Sequence, residues 1–432
     1  MDQIKVAIVG MGTVGTGVAR LLVEHGERAA RHSGRQLVLE SVVVRDEEKP
    51  RDLHLPSGVL SSDLQAITHN PEIKVVAHLV GGLEPARQIM LELLENGKDV
   101  VTANKALLAE HGPELFDRAR ALDLCIAFEA AVAGGIPIIA NISQCLSANQ
   151  IQSLRGILNG TSNFILTQME EQGADYSAAV KEAQRLGYAE ADPTLDVDGS
   201  DATQKLAILA HLAFGARVNW RDIPRRGIDG LDAADLRYAK ELGYRIKLVA
   251  MAQLAAGGVN LQVSPTLVKI GAPLAEVRGA FNAISVVGDA VGPLMFHGQG
   301  AGQMPTASAV VADMIDMVVG RAQITFRNLE LWTDQASAAR PLDPAKSMGK
   351  FYLRFMAADQ PGVLAEIAGV LGKNKISIAS VIQHDDKRTE DGFLPLVIMT
   401  HSAAEGDVLS AIETIDKLRT TKPFSVRLRV QE

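Results

Sequence analysis

Cysteine, long apolar runs, basic surplus and export signals are scarce or missing here, and each shortage closes off a class of function. Only Cys125 and Cys145 occur in 432 residues, which leaves no disulfide framework and no paired metal-ligand spacing. Both thiols are expected in the core of a protein kept in a reducing, cytoplasmic compartment. No apolar run approaches the roughly 20 residues of a membrane span. A strand pattern begins within three residues of Met1, with no basic segment, signal core or cleavage site before it, so no export is expected. The formal net charge of -8 argues against a nucleic-acid binder, which needs a basic surface. Small-molecule ligands are the expected partners.

What is present is ordinary globular material, 47% hydrophobic and 22% charged, long enough for about three domains at roughly 150 residues each. Residues 4–9 read as a buried strand running straight into Gly10-Met11-Gly12-Thr13-Val14-Gly15, and a helix pattern follows through Val23. That order suits a dinucleotide: glycines let the backbone turn and approach a pyrophosphate, whose charge then lies on a helix N-terminus. The second strand, 37–44, ends at Arg45 and Asp46. An arginine there pairs with the 2'-phosphate of NADP and an acid accepts the ribose hydroxyl of NAD; Arg45 comes first and favours NADP, while Asp46 keeps NAD open.

Two further βα units follow, 74–80 into Gly81-Gly82 and 99–102 into Asn104-Lys105. The alternation implies a parallel sheet with its ligand beyond the carboxyl ends of the strands, where Lys105 falls. From Ala130 the pattern changes. A turn-rich junction at 133–137, a strand at 151–158, the run Asn159-Gly160-Thr161-Ser162-Asn163, a helix at 164–172 and strands at 247–254 and 259–268 predict a mixed sheet covered by helices. Residues 301–306 open an apolar helix, 307–319, expected to return to the nucleotide domain. After a linker at 333–349 comes a βαββαβ pattern of ferredoxin-like order, with strands at 351–356, 376–383, 393–400 and 424–430. Pro395 is expected at a strand edge or bulge, since it donates nothing to a ladder.

The densest polarity lies between Tyr188 and Ala210, where Glu190, Asp192, Asp196, Asp198 and Asp201 precede Lys205 on an apolar helix. Asp201 and Lys205 are four apart and share a helix face. On this stretch alone, Asp201 reads as a carboxylate near a helix N-terminus and Lys205 as a stem laid over leucines with its ammonium in water; a functional pair is the other reading. A calcium loop fails, because twelve residues from Asp196 end at Ala207 and a count from Asp192 puts Val197 where the turn needs glycine.

Together these motifs closely resemble the homoserine dehydrogenase family, in its monofunctional form with a C-terminal ACT domain. The resemblance runs through GMGTVG at 10–15, LVGG at 79–82, TANKALLA at 102–109, FEAAVAGGIPII at 128–139, ILNGTSNFIL at 157–166, GYAEADPTLDVDGSDATQKLAILA at 187–210, FNAI at 281–284 and GAGQMPTASAVVADM at 300–314. With no kinase-like stretch in front, the form fused to aspartokinase is not expected. The resemblance implies an α/β architecture: a Rossmann nucleotide-binding domain at 1–135 completed by about 301–330, an α+β catalytic and dimerisation domain with a mixed sheet at 136–300, a linker at 331–349, and a ferredoxin-like ACT domain at 350–432.

It also implies NAD(P)-dependent interconversion of L-homoserine and L-aspartate 4-semialdehyde, on the route to threonine, isoleucine and methionine, by a homodimer or homotetramer. Carried over motif by motif, Lys205 is the acid/base, Asp201 stands beside it, Glu190 binds substrate and Lys105 contacts cofactor and substrate. Gly10, Gly12, Thr13, Val14, Gly15 and Arg45 hold the cofactor, with Gly187 near the nicotinamide and Gly302 in the motif that returns to it. Glu129 with the backbone of Val132, Gly134 and Ile136 matches a sodium site. ACT domains bind an amino acid where two copies meet, which makes threonine the expected effector. His78, where many members carry a glutamate, and Gln299, in place of an arginine, depart from the family pattern; His78 is expected to be packed and neutral. A sensor that had kept the fold without the chemistry would need none of Lys205, Lys105 and Glu190.

Overall fold

The computed structural model describes residues 2–329, 331–332, 339–384 and 392–431. Its contacts divide into two compact units, one comprising Met1–Ser153, Thr203–Asp222 and Phe281–Ala339, the other Leu154–Ala202, Ile223–Ala280 and Arg340–Glu432. One division falls inside the strand Ile151–Ile157 and another inside the helix Ser200–Phe214.

The first unit holds a six-stranded parallel sheet. Its strands lie in the order Leu60–Ser61, Arg35–Val43, Asp2–Val9, Ile73–His78, Asp99–Thr102, Ile126–Ala127. Val6, Ala7, Ile8 and Val9 are all buried, as a strand covered by helices on both faces requires. The chain order reverses between Asp2–Val9 and Ile73–His78, and that reversal opens the crevice in which such sheets bind ligands. Helix Gln303–Val318 packs on helix Thr13–Ser33, so closely that a Cβ on Gly17 would stand 2.9 Å from the Ala307 Cβ. The strands Phe281–Gly288 and Gly292–Gln299 pair as an antiparallel hairpin, an element for which the sequence reading made no provision.

In the second unit the sheet runs from the end of Ile151–Ile157 through Tyr244–Ala255, Gly258–Lys269, Thr421–Gln431, Met348–Ala358 and Phe393–Thr400 to Ile378–Gln383. Its last four strands stand in the order fourth, first, third, second, all antiparallel, with helices Val363–Lys373 and Glu405–Ile415 between them in sequence: the ferredoxin-like order. Phe351, Leu353 and Phe355 alternate onto one face and meet Ile367, Leu371, Val408 and Ile415 in a buried cluster. Each such side chain contributes roughly 1.5–3 kcal/mol by leaving water. The first pairing across to the rest of the sheet is short and parallel, Arg429↔Thr266 to Gln431↔Val268.

Of the expected linker, 333–338 lie outside the described residues, while Val259 N–H donates to the Arg340 carbonyl at 2.8 Å and Leu342 N–H to the Val259 carbonyl at 2.9 Å. This stretch is therefore docked backbone over 340–342. Pro395 departs from expectation: Phe393–Thr400 is an interior strand and Pro395 pairs with Met356, but the ladder to Ile378–Gln383 ends at Leu396, so Pro395 faces a described neighbour on one side only. Cys145 also departs, being exposed on a π-helical turn at Asn141–Cys145, whereas Cys125 is buried. Among the described residues no helix is long and apolar enough to cross a membrane.

Candidate functional site

The turn after the first strand is shaped by contacts that only glycine tolerates. Gly10 has φ +97°, and a Cβ on it would stand 2.9 Å from the Leu79 backbone; a Cβ on Gly15 would stand 2.1 Å from the Gly10 carbonyl oxygen. Gly12 is different, since a Cβ there would meet nothing within 4 Å. The chain itself has no need of glycine at 12, but a ligand lying against the backbone does. Gly12 is the N-cap of helix Thr13–Ser33, whose first turn carries no acid, so the N–H groups of Thr13, Val14 and Gly15 face an anion without competition. These features fit a dinucleotide pyrophosphate.

Arg45 is exposed at the end of the second strand. The neighbouring Asp46 spends its Oδ1 on its own loop, accepting from Glu48 N–H at 3.0 Å and Lys49 N–H at 3.2 Å. Lys105 opens helix Lys105–Ala121, half-buried. Asn104 caps that helix through Leu107 N–H and donates to the carbonyls of Val80 at 3.0 Å and Gly82 at 2.7 Å, which ties Lys105 to the loop after the Ile73–His78 strand. His78 itself is fully buried, and desolvation pushes it down to about 4, so it is packed and neutral at pH 7 as expected. Gly302, with φ +115°, begins helix Gln303–Val318.

The five carboxylates before Lys205 separate into three groups. Asp192 and Asp198 serve the local backbone: Asp192 accepts from Thr194 N–H at 3.1 Å, and Asp198 from Ser200 N–H at 2.8 Å and Ser200 Oγ at 2.7 Å. Asp196 and Asp201 are drawn together by Asn159, whose Nδ2 donates to Asp196 Oδ1 at 2.7 Å and Asp201 Oδ2 at 3.0 Å. Glu190 is exposed, as is Gly187, which has φ +76°. Asn159 has a second task, because its Oδ1 caps helix Gly160–Gln172 by accepting from Ser162 N–H at 2.8 Å. Sequence reasoning missed Asn159; its signal was an Asn-Gly-Thr turn between a strand and a helix.

Helix Ser200–Phe214 then carries Asp201 in its first turn, 7% exposed, and Lys205 one turn on, 9% exposed. Such burial is more than the spacing of a lysine on an apolar helix anticipates. Another buried lysine near this segment was also missed. Lys247, on strand Tyr244–Ala255, is 1% exposed and donates to Asn163 Oδ1 at 3.1 Å and to the Val277 carbonyl, while Asn163 Nδ2 donates to the carbonyls of Val277 and Gly279. It anchors the same Asn159–Asn163 turn from behind. Desolvation pushes its pKa down to about 8.

Glu129 is buried, and its two oxygens accept from Ile139 N–H at 2.8 Å and Ala140 N–H at 2.7 Å. Desolvation raises it to about 7 despite those bonds. Its own N–H donates to the Asp313 carboxylate at 2.9 Å, and the Ile136 carbonyl accepts from Ile138 N–H at 2.7 Å. A Cβ on Gly134 would stand 2.7 Å from Thr306 Oγ1, so glycine is required there. Among the described residues no group of three or more His, Cys, Asp or Glu is placed to hold a metal ion.

Comparison with known proteins agrees with this geometry. The homoserine dehydrogenase pattern matches residues 137–315, the NAD-binding domain of homoserine dehydrogenase matches 10–129, and the ACT domain matches 351–420. The chain is 42% identical to the homoserine dehydrogenase of Pseudomonas aeruginosa, covering 100% of both, and 40% identical to that of Corynebacterium glutamicum, covering 100% of this chain and 96% of the relative. Among solved structures, homoserine dehydrogenase from Thiobacillus denitrificans superposes with a TM-score of 0.91 at 42% identity, covering 100% of this chain and 99% of that one. A hyperthermophilic archaeal homoserine dehydrogenase mutant in complex with NADPH gives 0.61 at 26% identity over 74% of this chain and 98% of its own. Full-length identity of this order, on a fold with a nucleotide-binding turn and a ferredoxin-like C-terminal segment, places the chain in the homoserine dehydrogenase family, in the form that carries an ACT domain.

Proposed function

We propose that Lys205 is the proton donor and acceptor of this homoserine dehydrogenase, an NAD(P)-dependent oxidoreductase that interconverts L-homoserine and L-aspartate 4-semialdehyde. The turn at 10–15 would hold the dinucleotide, whose nicotinamide would supply or take up the hydride. In reduction, negative charge develops on the aldehyde oxygen, and the Lys205 ammonium stabilises that oxygen and protonates it. In oxidation the neutral amine takes the alcohol proton. The observation that carries this reading is a buried lysine one helical turn after Asp201, whose carboxylate Asn159 holds in place. Asp201 and Glu190 supply the negative charge that the substrate ammonium needs, and Lys105 contacts substrate and cofactor.

The test is Lys205→Ala assayed for both turnover and cofactor affinity: loss of turnover with cofactor binding retained supports the role, and full turnover refutes it. Oxidation that needs a neutral amine also runs faster above pH 8 than at pH 7, once the proton released in the overall equilibrium is allowed for; a pH-independent chemical step counts against Lys205.

The finer assignments rest on single features. NADP is the preferred cofactor because Arg45 is exposed at the strand end while Asp46 is engaged with its own loop; an unchanged preference in Arg45→Ala refutes this. Gly187 lies near the nicotinamide. Glu129, with carbonyls of Val132, Gly134 and Ile136, makes an all-oxygen donor set suited to a sodium ion, and sodium-dependent turnover that Glu129→Gln abolishes is the expected result. Threonine is the effector and binds where two ACT segments meet in a homodimer or homotetramer; threonine without effect at millimolar levels removes it. The domain limits follow the resemblance, and the reaction is placed in the cytoplasm.

A further inference from the structure

Inside the second unit a cavity of about 380 Å³ opens among strand Gly258–Lys269, residues 342–347 and strand Thr421–Gln431. Its charged lining comprises Arg225, Arg226, Arg427 and Arg429 against Glu405 and Asp343. Glu405 is shared: one oxygen pairs with Arg427, and the other accepts from Arg429 Nε at 2.9 Å. Arg226 Nη1 donates to the Arg427 carbonyl at 2.8 Å, which brings a third guanidinium beside the pair. Arg429 also donates to Ser347 Oγ at 2.8 Å and lies over the Phe351 ring. Asp343 is exposed, and its Oδ1 accepts from Ala345 N–H at 3.0 Å.

The side chains of Arg427, Arg429 and Glu405 are only 19%, 11% and 12% exposed. Positive charge thus exceeds negative in a largely desolvated space, where ions are normally paired. Desolvation, with Arg226 and Arg429 nearby, lowers Arg427 to about 10, and desolvation lowers Arg429 to about 10. For Arg226 desolvation is likewise the largest influence, opposed by the charges of Asp235 and Asp229. Asp235 is itself engaged by Arg354 Nε at 2.6 Å and the Tyr352 hydroxyl at 3.0 Å. The remaining lining mixes polar Asn260, Gln262 and Ser264 with the aliphatic side chains of Leu261, Val263, Leu342 and Leu409.

We propose that this cavity binds a small aliphatic carboxylate, its carboxylate received by Arg226 and Arg427 and its hydrocarbon part laid on Leu261, Val263 and Leu342. Guanidinium forks match a planar carboxylate in two parallel hydrogen bonds, and the volume suits a small metabolite. The position gives binding a consequence. The site lies at the junction where Thr421–Gln431 joins Gly258–Lys269 through three residue pairs, so a bound carboxylate adds a link between the ACT fold and the strands beyond it.

The test is calorimetric titration of the full-length protein with isovalerate and, separately, inorganic phosphate. Isovalerate is expected to bind saturably and phosphate about tenfold more weakly, because a phosphate leaves the aliphatic wall uncovered. Arg226→Gln is expected to weaken isovalerate about tenfold or more. Leu409→Trp keeps every arginine and fills the space; its parent Leu409 is 48% exposed, so the variant folds, and it is expected to abolish binding. Lys205→Ala is expected to retain binding, which separates this cavity from the substrate site, and both cavity variants are expected to oxidise homoserine within about twofold of wild type. No isovalerate binding to wild type, phosphate binding equal to isovalerate, loss of binding in Lys205→Ala, or unchanged binding in the two cavity variants overturns the proposal.

Discussion

The nucleotide turn at 10–15 and the carboxylate segment at 190–201 are both built to receive charged ligands, by opposite means. The turn uses backbone: six consecutive residues, a positive φ at Gly10, and a Gly15 on which a Cβ would stand 2.1 Å from the Gly10 carbonyl oxygen. The segment uses side chains, and two of its carboxylates are gathered by Asn159, which is 37 positions from Asp196 and 42 from Asp201. A site made of backbone is written locally. A site made of side chains acquires its meaning when folding supplies partners.

The largest expected effect lies just past the segment. Lys205→Ala should lower turnover by about 10²–10⁴-fold with cofactor affinity little changed, measured by steady-state kinetics alongside NADPH fluorescence titration. On the backbone side, Gly15→Ala should lower cofactor affinity by roughly 100-fold and also depress the unfolding temperature, since its methyl collides with the chain. Gly12→Ala should lose affinity while unfolding as wild type, because its methyl meets only the ligand's space. If the two glycine variants behave alike, the turn is not divided between fold and ligand.

Asn159→Ala should cost roughly 10- to 100-fold in kcat/KM, from two lost charge-assisted hydrogen bonds and one helix cap. Asn159→Asp keeps the cap but places a third carboxylate against Asp196 and Asp201, and should lose more than alanine does. Equal kinetics in all three proteins would mean that Asn159 does not organise the segment. Behind it, Lys247 has its pKa lowered from 10.5 to about 8 by desolvation. Between those values the unfolded chain binds more protons than the folded one, so stability rises with pH across that window and is lost as pH falls through about 8. The slope is at most about 1.4 kcal/mol per pH unit. Chemical denaturation at pH 7.5 to 10 should show this rise in wild type and a flatter profile in Lys247→Met.

The smallest effect belongs to Asp192→Asn. Its carboxylate serves a local turn through Thr194, so stability should change by about 0.5 kcal/mol or less and kcat/KM should hold. A large kinetic loss would move Asp192 into the group organised by Asn159.

Much of the architecture was legible in advance for the same reason that the turn was. The strand at residues 99–102 was read with the limits found, as was that at 393–400, because apolar runs bounded by turn residues state their period directly. The hairpin Phe281–Gly288/Gly292–Gln299 went unread, since its exposed outer strand alternates weakly and offers little apolar contrast. Lys205 was first read as snorkelling on spacing alone; a helix pattern shows which residues share a face but not what covers that face. Pro395 was read as an edge signal, yet one interior strand accommodates it where a neighbouring ladder stops.

By itself the sequence determined the glycine turn, the parallel α/β order, the ferredoxin-like closing segment and the family, because these depend on φ freedom, hydrophobic period and contiguous motifs. Tertiary structure alone decided which carboxylates cap the backbone and which are gathered by Asn159, that Lys205 and Lys247 are buried, and that arginines crowd one cavity around Glu405. Burial and charge pairing are properties of neighbours in space, and those neighbours come from positions the local pattern does not name.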